Sequence, residues 1–132
     1  MNNLIVLYDG DCGFCKVVLA MLLRWDRARR LNPVTIQSAQ GEKLLGGLAR
    51  QEHLRSWHLL DPEGMLYSGG AGVPIVFDAL PWGTPIARTA SCFPETTSRV
   101  YDWVAKNRAL LGRLLKARAR AWATRVIAER RV

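Results

Sequence analysis

Two cysteines near the start of the chain have the type and spacing of a redox-active pair. Cys12 and Cys15 are separated by Gly13 and Phe14, so in the first turn of a helix their side chains lie on one face. Free backbone N–H groups at a helix start favour the thiolate and lower a cysteine pKa from about 8.5 to between about 3.5 and 7.5. The spacing therefore predicts disulfide exchange, with Cys12 as the exposed nucleophile and Cys15 as the cysteine that resolves the mixed disulfide.

The side chains beside this pair are candidates for tuning its reactivity. Asp9 and Asp11 bring negative charge toward the helix start, which raises the pKa of Cys12 and opposes the effect of the helix. Either the helix end dominates and the pair is a mild reductant, or one carboxylate accepts a proton during exchange. Asp11 could also serve only as the helix cap. Tyr8 and Phe14 flank the motif and are candidates for the walls of the site.

A change in hydrophobic pattern places the pair between a strand and a helix. Residues 3–8 form a continuous apolar run that predicts a buried strand, and from Cys12 to about Arg29 the spacing becomes helical, with an arginine-rich last turn. The remaining elements we expect are strands over 34–36, 56–60 and 65–67, helices over 42–51, 73–80, 97–107 and 110–127, a flexible link over 68–72 and irregular chain over 81–94. A β-α-β start followed by an antiparallel hairpin predicts an α/β fold with a mixed sheet of about four strands flanked by helices.

The chain suits one hydrophobic core, and its charge is concentrated at the C-terminal end. Of the formal net charge of +8, the segment 108–132 carries +7, from eight Lys or Arg and one Glu. We therefore divide the chain into a redox domain over 1–112 and a basic amphipathic helix over 113–132, which is part of that domain or docked on it. An anionic membrane surface or an acidic partner is the alternative use of this basic helix. Specific nucleic-acid binding is not expected, because the rest of the chain is nearly neutral.

Other features bound the cellular context and the cofactor. The first seven residues lack the charged segment of a signal peptide, no apolar stretch approaches the roughly 20 residues of a membrane helix, and three cysteines are too few for a disulfide framework. These features predict a cytoplasmic protein, and no nucleotide-binding glycine motif suggests an organic cofactor. Cys92 is expected to be a small buried hydrophobe, with a regulatory thiol as the alternative. Three tryptophans, Trp57, Trp82 and Trp103, are expected in the core or in a pocket wall.

The segment Leu4-Ile-Val-Leu-Tyr-Asp-Gly-Asp-Cys-Gly-Phe-Cys-Lys16 resembles the start of the DCC family of predicted thiol–disulfide oxidoreductases. That family is named for an Asp, a Cys and a Cys, which here match Asp9, Cys12 and Cys15. The resemblance extends over most of residues 4–112, through Asp26, 38–41, 68–71 and 101–108. It implies a thioredoxin-like fold and disulfide exchange, with thiols or disulfides of proteins or small molecules as substrates.

Three other interpretations use the same residues. An apolar strand followed by Asp9-Gly10-Asp11 also resembles the opening motif of haloacid-dehalogenase-type phosphatases, in which Asp9 would attack phosphate and Asp11 would be the general acid, although the late acidic pair that holds Mg²⁺ is missing from the sequence. A protein that keeps the fold only for binding is the non-enzymatic alternative. A zinc site is the third, but a second C-x-x-C is missing, so we predict no metal; its four ligands would be Cys12, Cys15, His53 and His58.

Overall fold

A four-stranded mixed sheet lies at the centre of the protein, which the computed structural model describes over residues 3–54 and 56–131. Met1, Asn2, Arg55 and Val132, the last residue of the predicted basic segment, lie outside the described residues. The strands are β1 (Leu4–Tyr8), β2 (Leu31–Thr35), β3 (His58–Leu60) and β4 (Leu66–Ser68). In the order β2-β1-β3-β4, β1 runs parallel to β2 and antiparallel to β3, and β3 pairs antiparallel with β4. The predicted α/β architecture is therefore confirmed.

Helices cover both faces of this sheet and follow one another after the hairpin. They are α1 (Gly13–Trp25), α2 (Ala39–Leu44), α3 (Arg50–His53), α4 (Gly72–Asp78), α5 (Thr84–Cys92), α6 (Pro94–Lys106), α7 (Arg108–Arg113) and α8 (Ala117–Arg131), with a 3₁₀ turn at Gly69–Ala71 before α4. Within the described ranges, none of them combines the length and the apolar character needed to cross a bilayer.

The apolar run of β1 exists because both of its faces are buried. Val6 and Tyr8 face the larger core, which α1, α4 and α8 cover, whereas Leu7 faces a second cluster with Val34 and Leu45. A strand buried on both sides needs apolar residues at successive positions and not only at alternate ones. This double burial fixes β1, and with it the turn that leads into Cys12.

The C-terminal helix α8 packs along α1. Ala123 and Ile127 are buried in the larger core, and the Arg130 guanidinium meets the Asp26 carboxylate at 2.6 Å. Arg130 also donates to the backbone carbonyl oxygens at the C-terminal end of α1. Part of the apolar side predicted for this segment remains in solvent, because Leu114, between α7 and α8, is 74% exposed.

Helix α1 ends four residues earlier than predicted because of a side chain that the periodicity does not reveal. Asp26 accepts hydrogen bonds from the backbone N–H groups of Arg30 and Leu31 at 3.0 and 2.8 Å. These bonds turn the chain directly into β2, and Arg29 takes a positive φ of 55° in the turn. The prediction of an arginine-rich last turn is therefore wrong, since Arg24 is the basic residue in the last turn of α1.

Other boundaries also differ from the prediction. Within the segment 81–94, which was expected to be irregular, Thr84–Cys92 form helix α5, because Pro85 suits a first helical turn, where a missing N–H costs nothing. The single helices predicted over 42–51 and 110–127 are each two, the first broken at Gly46 and Gly47, the second between Leu114 and Lys116. The link expected over 68–72 is the end of β4, a 3₁₀ turn at Gly69–Ala71 with Gly70 buried, and the start of α4. β2 begins at Leu31, three residues earlier than expected.

Candidate active site

Cys12 occupies the N-cap of α1 and accepts the hydrogen bond that a capping side chain normally accepts. Its backbone is extended, and its sulfur lies 3.2 Å from the backbone N of Cys15, which donates to it. Caps are usually Ser, Thr, Asp or Asn. The alternative that Asp11 caps the helix is therefore wrong, and Asp11 is exposed in the preceding turn.

The surroundings of Cys12 favour its thiolate. Hydrogen bonds from the side chain and the backbone N–H of Cys15 lower the pKa of Cys12 from its ordinary value near 9 to about 6, with the side-chain bond as the largest cause. The positive charge of Arg108 lowers this pKa further, whereas partial burial and the Asp9 carboxylate raise it. The hydrogen bonds from Cys15 therefore outweigh the opposing charge of Asp9.

Cys15 has the opposite preference. The hydrogen bond that its thiol donates to Cys12 raises the pKa of Cys15 well above its ordinary value, and burial and the negative charge of Cys12 add to this effect. Cys15 is also more deeply buried than Cys12. At neutral pH the reduced pair is therefore one thiolate, at Cys12, beside one thiol, at Cys15.

Asp9 organises the turn between β1 and α1. Its Oδ1 accepts hydrogen bonds from the backbone N of Asp11 at 2.9 Å and from Nε2 of Gln37 at 2.7 Å. Gln37 in turn accepts a bond from the backbone N of Gly10 at 3.0 Å. The second carboxylate oxygen of Asp9 lies 3.5 Å from the guanidinium of Arg108. Asp9 thus holds the turn in place and brings a paired negative charge to the site.

Arg108 is a site residue that the sequence analysis did not single out. From the start of α7 it donates to the backbone carbonyl oxygen of Leu54 at 2.7 Å, and its Nη1 lies 3.8 Å from the sulfur of Cys15. It also forms the ion pair with Asp9. The one available signal was its place at the end of the 101–108 stretch that resembles the DCC family, because no local spacing links it to Cys15.

A pocket of about 770 Å³ opens beside the pair. Tyr8, Phe14 and Cys15 line it together with Trp57 and Tyr101. The rings of Trp57 and Tyr101 stack with centroids 5.7 Å apart, and the Tyr101 hydroxyl oxygen accepts a bond from the backbone N of Trp57 at 2.9 Å. Burial raises the pKa of Tyr101 above its ordinary value. Tyr8 and Phe14, the two side chains expected to flank the site, thus both line this pocket.

Gly13 lies under a side chain from the C-terminal helix. A Cβ atom at this position would come within 2.8 Å of Cδ of Arg120. Gly112 of α7 faces Phe14 at a looser distance, since a Cβ there would be in ordinary van der Waals contact, 3.5 Å from the Phe14 backbone N. The C-terminal helices therefore cover one side of the Cys12–Cys15 motif.

The two metal-based alternatives lack a cluster of ligands. In the described part of the chain, no three Cys, His, Asp or Glu side chains gather where they could hold a metal ion. His58 is bonded to Ser68 at 2.6 Å and to the carbonyl oxygen of His53 at 2.9 Å, and burial lowers its pKa. His53 is bonded to the carbonyl oxygen of Leu45 at 3.0 Å. Both imidazoles are thus committed to structural hydrogen bonds.

Three residues lie where the sequence analysis did not expect them. Cys92 is exposed at the C-terminal end of α5 and is not a buried hydrophobe. Trp82 and Trp103 are 92% and 62% exposed, so neither belongs to the core. Trp57 alone of the three tryptophans fulfils the expectation of a pocket wall.

The sheet order and the dithiol at a helix start define a thioredoxin-like α/β domain. The family model of the DCC1-like thiol-disulfide oxidoreductases matches residues 6–114, and the chain belongs to this family. The resemblance found in the sequence is therefore confirmed. No curated protein and no solved structure matches the chain. The matched region ends before α8, although α8 contributes to the core.

Proposed function

We propose that this protein is a thiol–disulfide oxidoreductase in which Cys12 is the nucleophile and Cys15 resolves the mixed disulfide. The observation that carries the proposal is the hydrogen bond at 3.2 Å from the backbone N of Cys15 to the sulfur of Cys12. A thiolate is the species that attacks a disulfide, and this bond stabilises it at the helix start. Membership of the DCC1-like family supports the same chemistry.

The geometry also supports different roles for the two cysteines in the two steps of the exchange. With a pKa of about 6, Cys12 is mostly thiolate at neutral pH, whereas Cys15 keeps its proton. Once Cys12 is bonded to a substrate sulfur, it loses the negative charge that helps to hold the proton on Cys15. Formation of the mixed disulfide therefore activates Cys15 for the second step. Stabilising the Cys12 thiolate also stabilises the reduced form, which makes the pair more oxidising.

A redox titration tests this proposal. The protein is equilibrated in buffers of graded thiol–disulfide ratio, free thiols are labelled, and intact mass reports the reduced fraction. We expect one transition of two electrons that needs both Cys12 and Cys15, while Cys92→Ser, the matched control, leaves it unchanged. A pair that neither oxidises nor reduces across the range of glutathione and dithiothreitol buffers would leave a binding protein without catalysis.

A further inference from the structure

The pocket beside the cysteine pair is almost wholly apolar. Its walls come from α1, α4, α5 and α6, and its volume of about 770 Å³ lies within the range of about 300–1,000 Å³ typical of small-molecule sites. Ile86, Phe93 and Val100 line it although they are 45%, 60% and 58% exposed. Large apolar side chains that line a cleft and still face solvent mark a site that a ligand covers.

The pocket reaches Cys15 of the reacting pair. Cys15 is one of its lining residues, and the Cys15 thiol is hydrogen-bonded to the sulfur of Cys12. A group held in the pocket can therefore carry a sulfur atom to this pair. The pocket belongs to the same site as the proposed disulfide exchange.

The charges around the pocket favour a neutral occupant. Among the described residues, Asp9 and Arg108 are the lining residues that carry charge, and they are paired with each other at 3.5 Å. Arg108 is further committed to the carbonyl oxygen of Leu54. The pocket thus offers no free cation to an anionic ligand, and burying a charge in its apolar walls would be unfavourable.

The covering of the motif favours a small occupant over a polypeptide. α7 lies against Phe14 through Gly112, and the aliphatic part of Arg120 lies over Gly13. These contacts narrow the approach of a large partner to the start of α1. Ile86 and Val100 line the pocket and remain exposed to solvent, so a small molecule can enter on this side.

From these observations, and resting on the proposed function, we infer that the substrate is a small neutral disulfide with an apolar group on one sulfur, and that the pocket binds this group. The Cys12 thiolate attacks the sulfur that carries the apolar group; a Cys12–substrate disulfide forms, the substrate S–S bond breaks, and the electron pair leaves with the other sulfur, which takes a proton from solvent. Cys15 then loses its proton to solvent and attacks the Cys12 sulfur. The Cys12–Cys15 disulfide forms and the apolar thiolate leaves and is protonated. One substrate disulfide is reduced to two thiols while the protein dithiol is oxidised.

A series of probes with one leaving group isolates the contribution of the pocket. The probes are neutral mixed disulfides of 2-thiopyridine with ethanethiol, butanethiol and octanethiol, and single-turnover release of 2-thiopyridone is followed by its absorbance with the reduced protein. Each buried methylene should raise the rate constant about three- to fourfold, relative to the same probe with 2-mercaptoethanol, until the chain leaves the pocket. Cys12→Ser should abolish this release.

Two variants at positions of similar solvent exposure test where the alkyl chain of the probe binds. Val100→Asp places a charge in the pocket wall, at a residue that is 58% exposed, and should remove most of the dependence on chain length. Met21→Asp makes the same kind of change at a residue that is 60% exposed and outside the pocket lining, and should keep that dependence. Circular dichroism of both variants checks that they are folded.

The outcomes distinguish failure of the inferred substrate from failure of the proposed disulfide exchange. If release depends on Cys12 but does not vary with chain length, the apolar substrate is wrong and the disulfide exchange stands. If a disulfide in a folded protein reacts faster than the octyl probe and Val100→Asp slows both equally, the occupant is a protein side chain, which also overturns the inference. If release does not depend on Cys12, the proposed function itself fails.

Discussion

Asp9 and Arg108 act on the pKa of Cys12 in opposite directions, so replacing either one tests the electrostatics of the site by the sign of the shift. Asp9→Asn removes a charge that raises this pKa, and the midpoint should move down. Arg108→Gln removes a charge that lowers it and leaves Asp9 without its partner at 3.5 Å, so the midpoint should move up. A general loosening of the site would shift both variants the same way.

The size of the shift follows from the order of the causes. A charge about 4–6 Å away moves a pKa by about 1–3 units, and the hydrogen bonds from Cys15 contribute more to the lowered pKa of Cys12 than Arg108 does. We therefore expect Arg108→Gln to raise the pKa of Cys12 by about one unit, which is the low end of this range. From a pKa of about 6, that change reduces the thiolate fraction at neutral pH from roughly nine-tenths to about half. Asp9→Asn hardly changes this fraction, so its effect must be read from the midpoint.

The assay is the rate of alkylation by iodoacetamide as a function of pH, with the adduct on Cys12 located by mass spectrometry. Asp11→Asn is the matched control, because it makes the same chemical change two residues away at an exposed side chain, where solvent and salt screen the charge. Its midpoint should equal that of the wild-type protein. Shifts of equal sign in Asp9→Asn and Arg108→Gln, or a shift in Asp11→Asn as large as in Asp9→Asn, would refute the reasoning.

Three further predictions concern stability, each measured by urea unfolding of the reduced protein. The pKa of Cys12 is about 6 in the folded state and near 9 in the unfolded state, so its thiolate contributes fully to the free energy of unfolding above pH 9, and this contribution is lost as the pH falls through 6. After allowance for solvent screening, Cys12→Ser should reduce the rise in the free energy of unfolding over this interval by about 1–2 kcal/mol. An unchanged pH dependence would contradict the low pKa of Cys12. Arg130→Met leaves the buried Asp26 carboxylate without its ion pair and should cost about 3–5 kcal/mol. Adding Asp26→Asn should recover part of that loss, and strict additivity would argue against the pair. Gly41→Ala would press a Cβ against a backbone oxygen at the end of β2 and should cost about 1–3 kcal/mol, whereas Gly47→Ala meets no neighbouring atom within 4 Å and should stay within about 0.5 kcal/mol of the wild-type protein.

The elements next to the dithiol could be predicted because their signals are local. The apolar run of β1 and the helical spacing after Cys12 each lie within a few residues. The turn-forming sequence Asp61-Pro-Glu-Gly64 between two extended runs likewise predicts the β3–β4 hairpin. The end of α1 could not be predicted in the same way. It depends on the Asp26 carboxylate, which accepts from the backbone N–H groups of Arg30 and Leu31 and is paired with Arg130 from the distant helix α8.

The rest of the site depends on contacts between distant parts of the chain. Arg108 reaches Cys15 across 93 positions of sequence, and no periodicity encodes that approach. Trp82 was expected in the core or in a pocket wall because hydrophobicity alone favours burial, but in the folded protein its side chain is 92% exposed. Predicting which large apolar side chains line the pocket requires the packing of α5 against α4 and α6, and α5 itself was expected to be irregular chain.

The C-terminal helices hold α1 at both of its ends, and this arrangement links the basic segment to the chemistry of the dithiol. At the start of α1, Arg108 contacts Cys15 and Arg120 covers Gly13. At the other end, Arg130 is bonded to Asp26 and to the last carbonyl oxygens of the helix. A thiolate at a helix start is stabilised only while that first turn keeps its hydrogen-bond geometry. Three arginines of the basic C-terminal segment, Arg108, Arg120 and Arg130, therefore lie against the helix on which Cys12 depends.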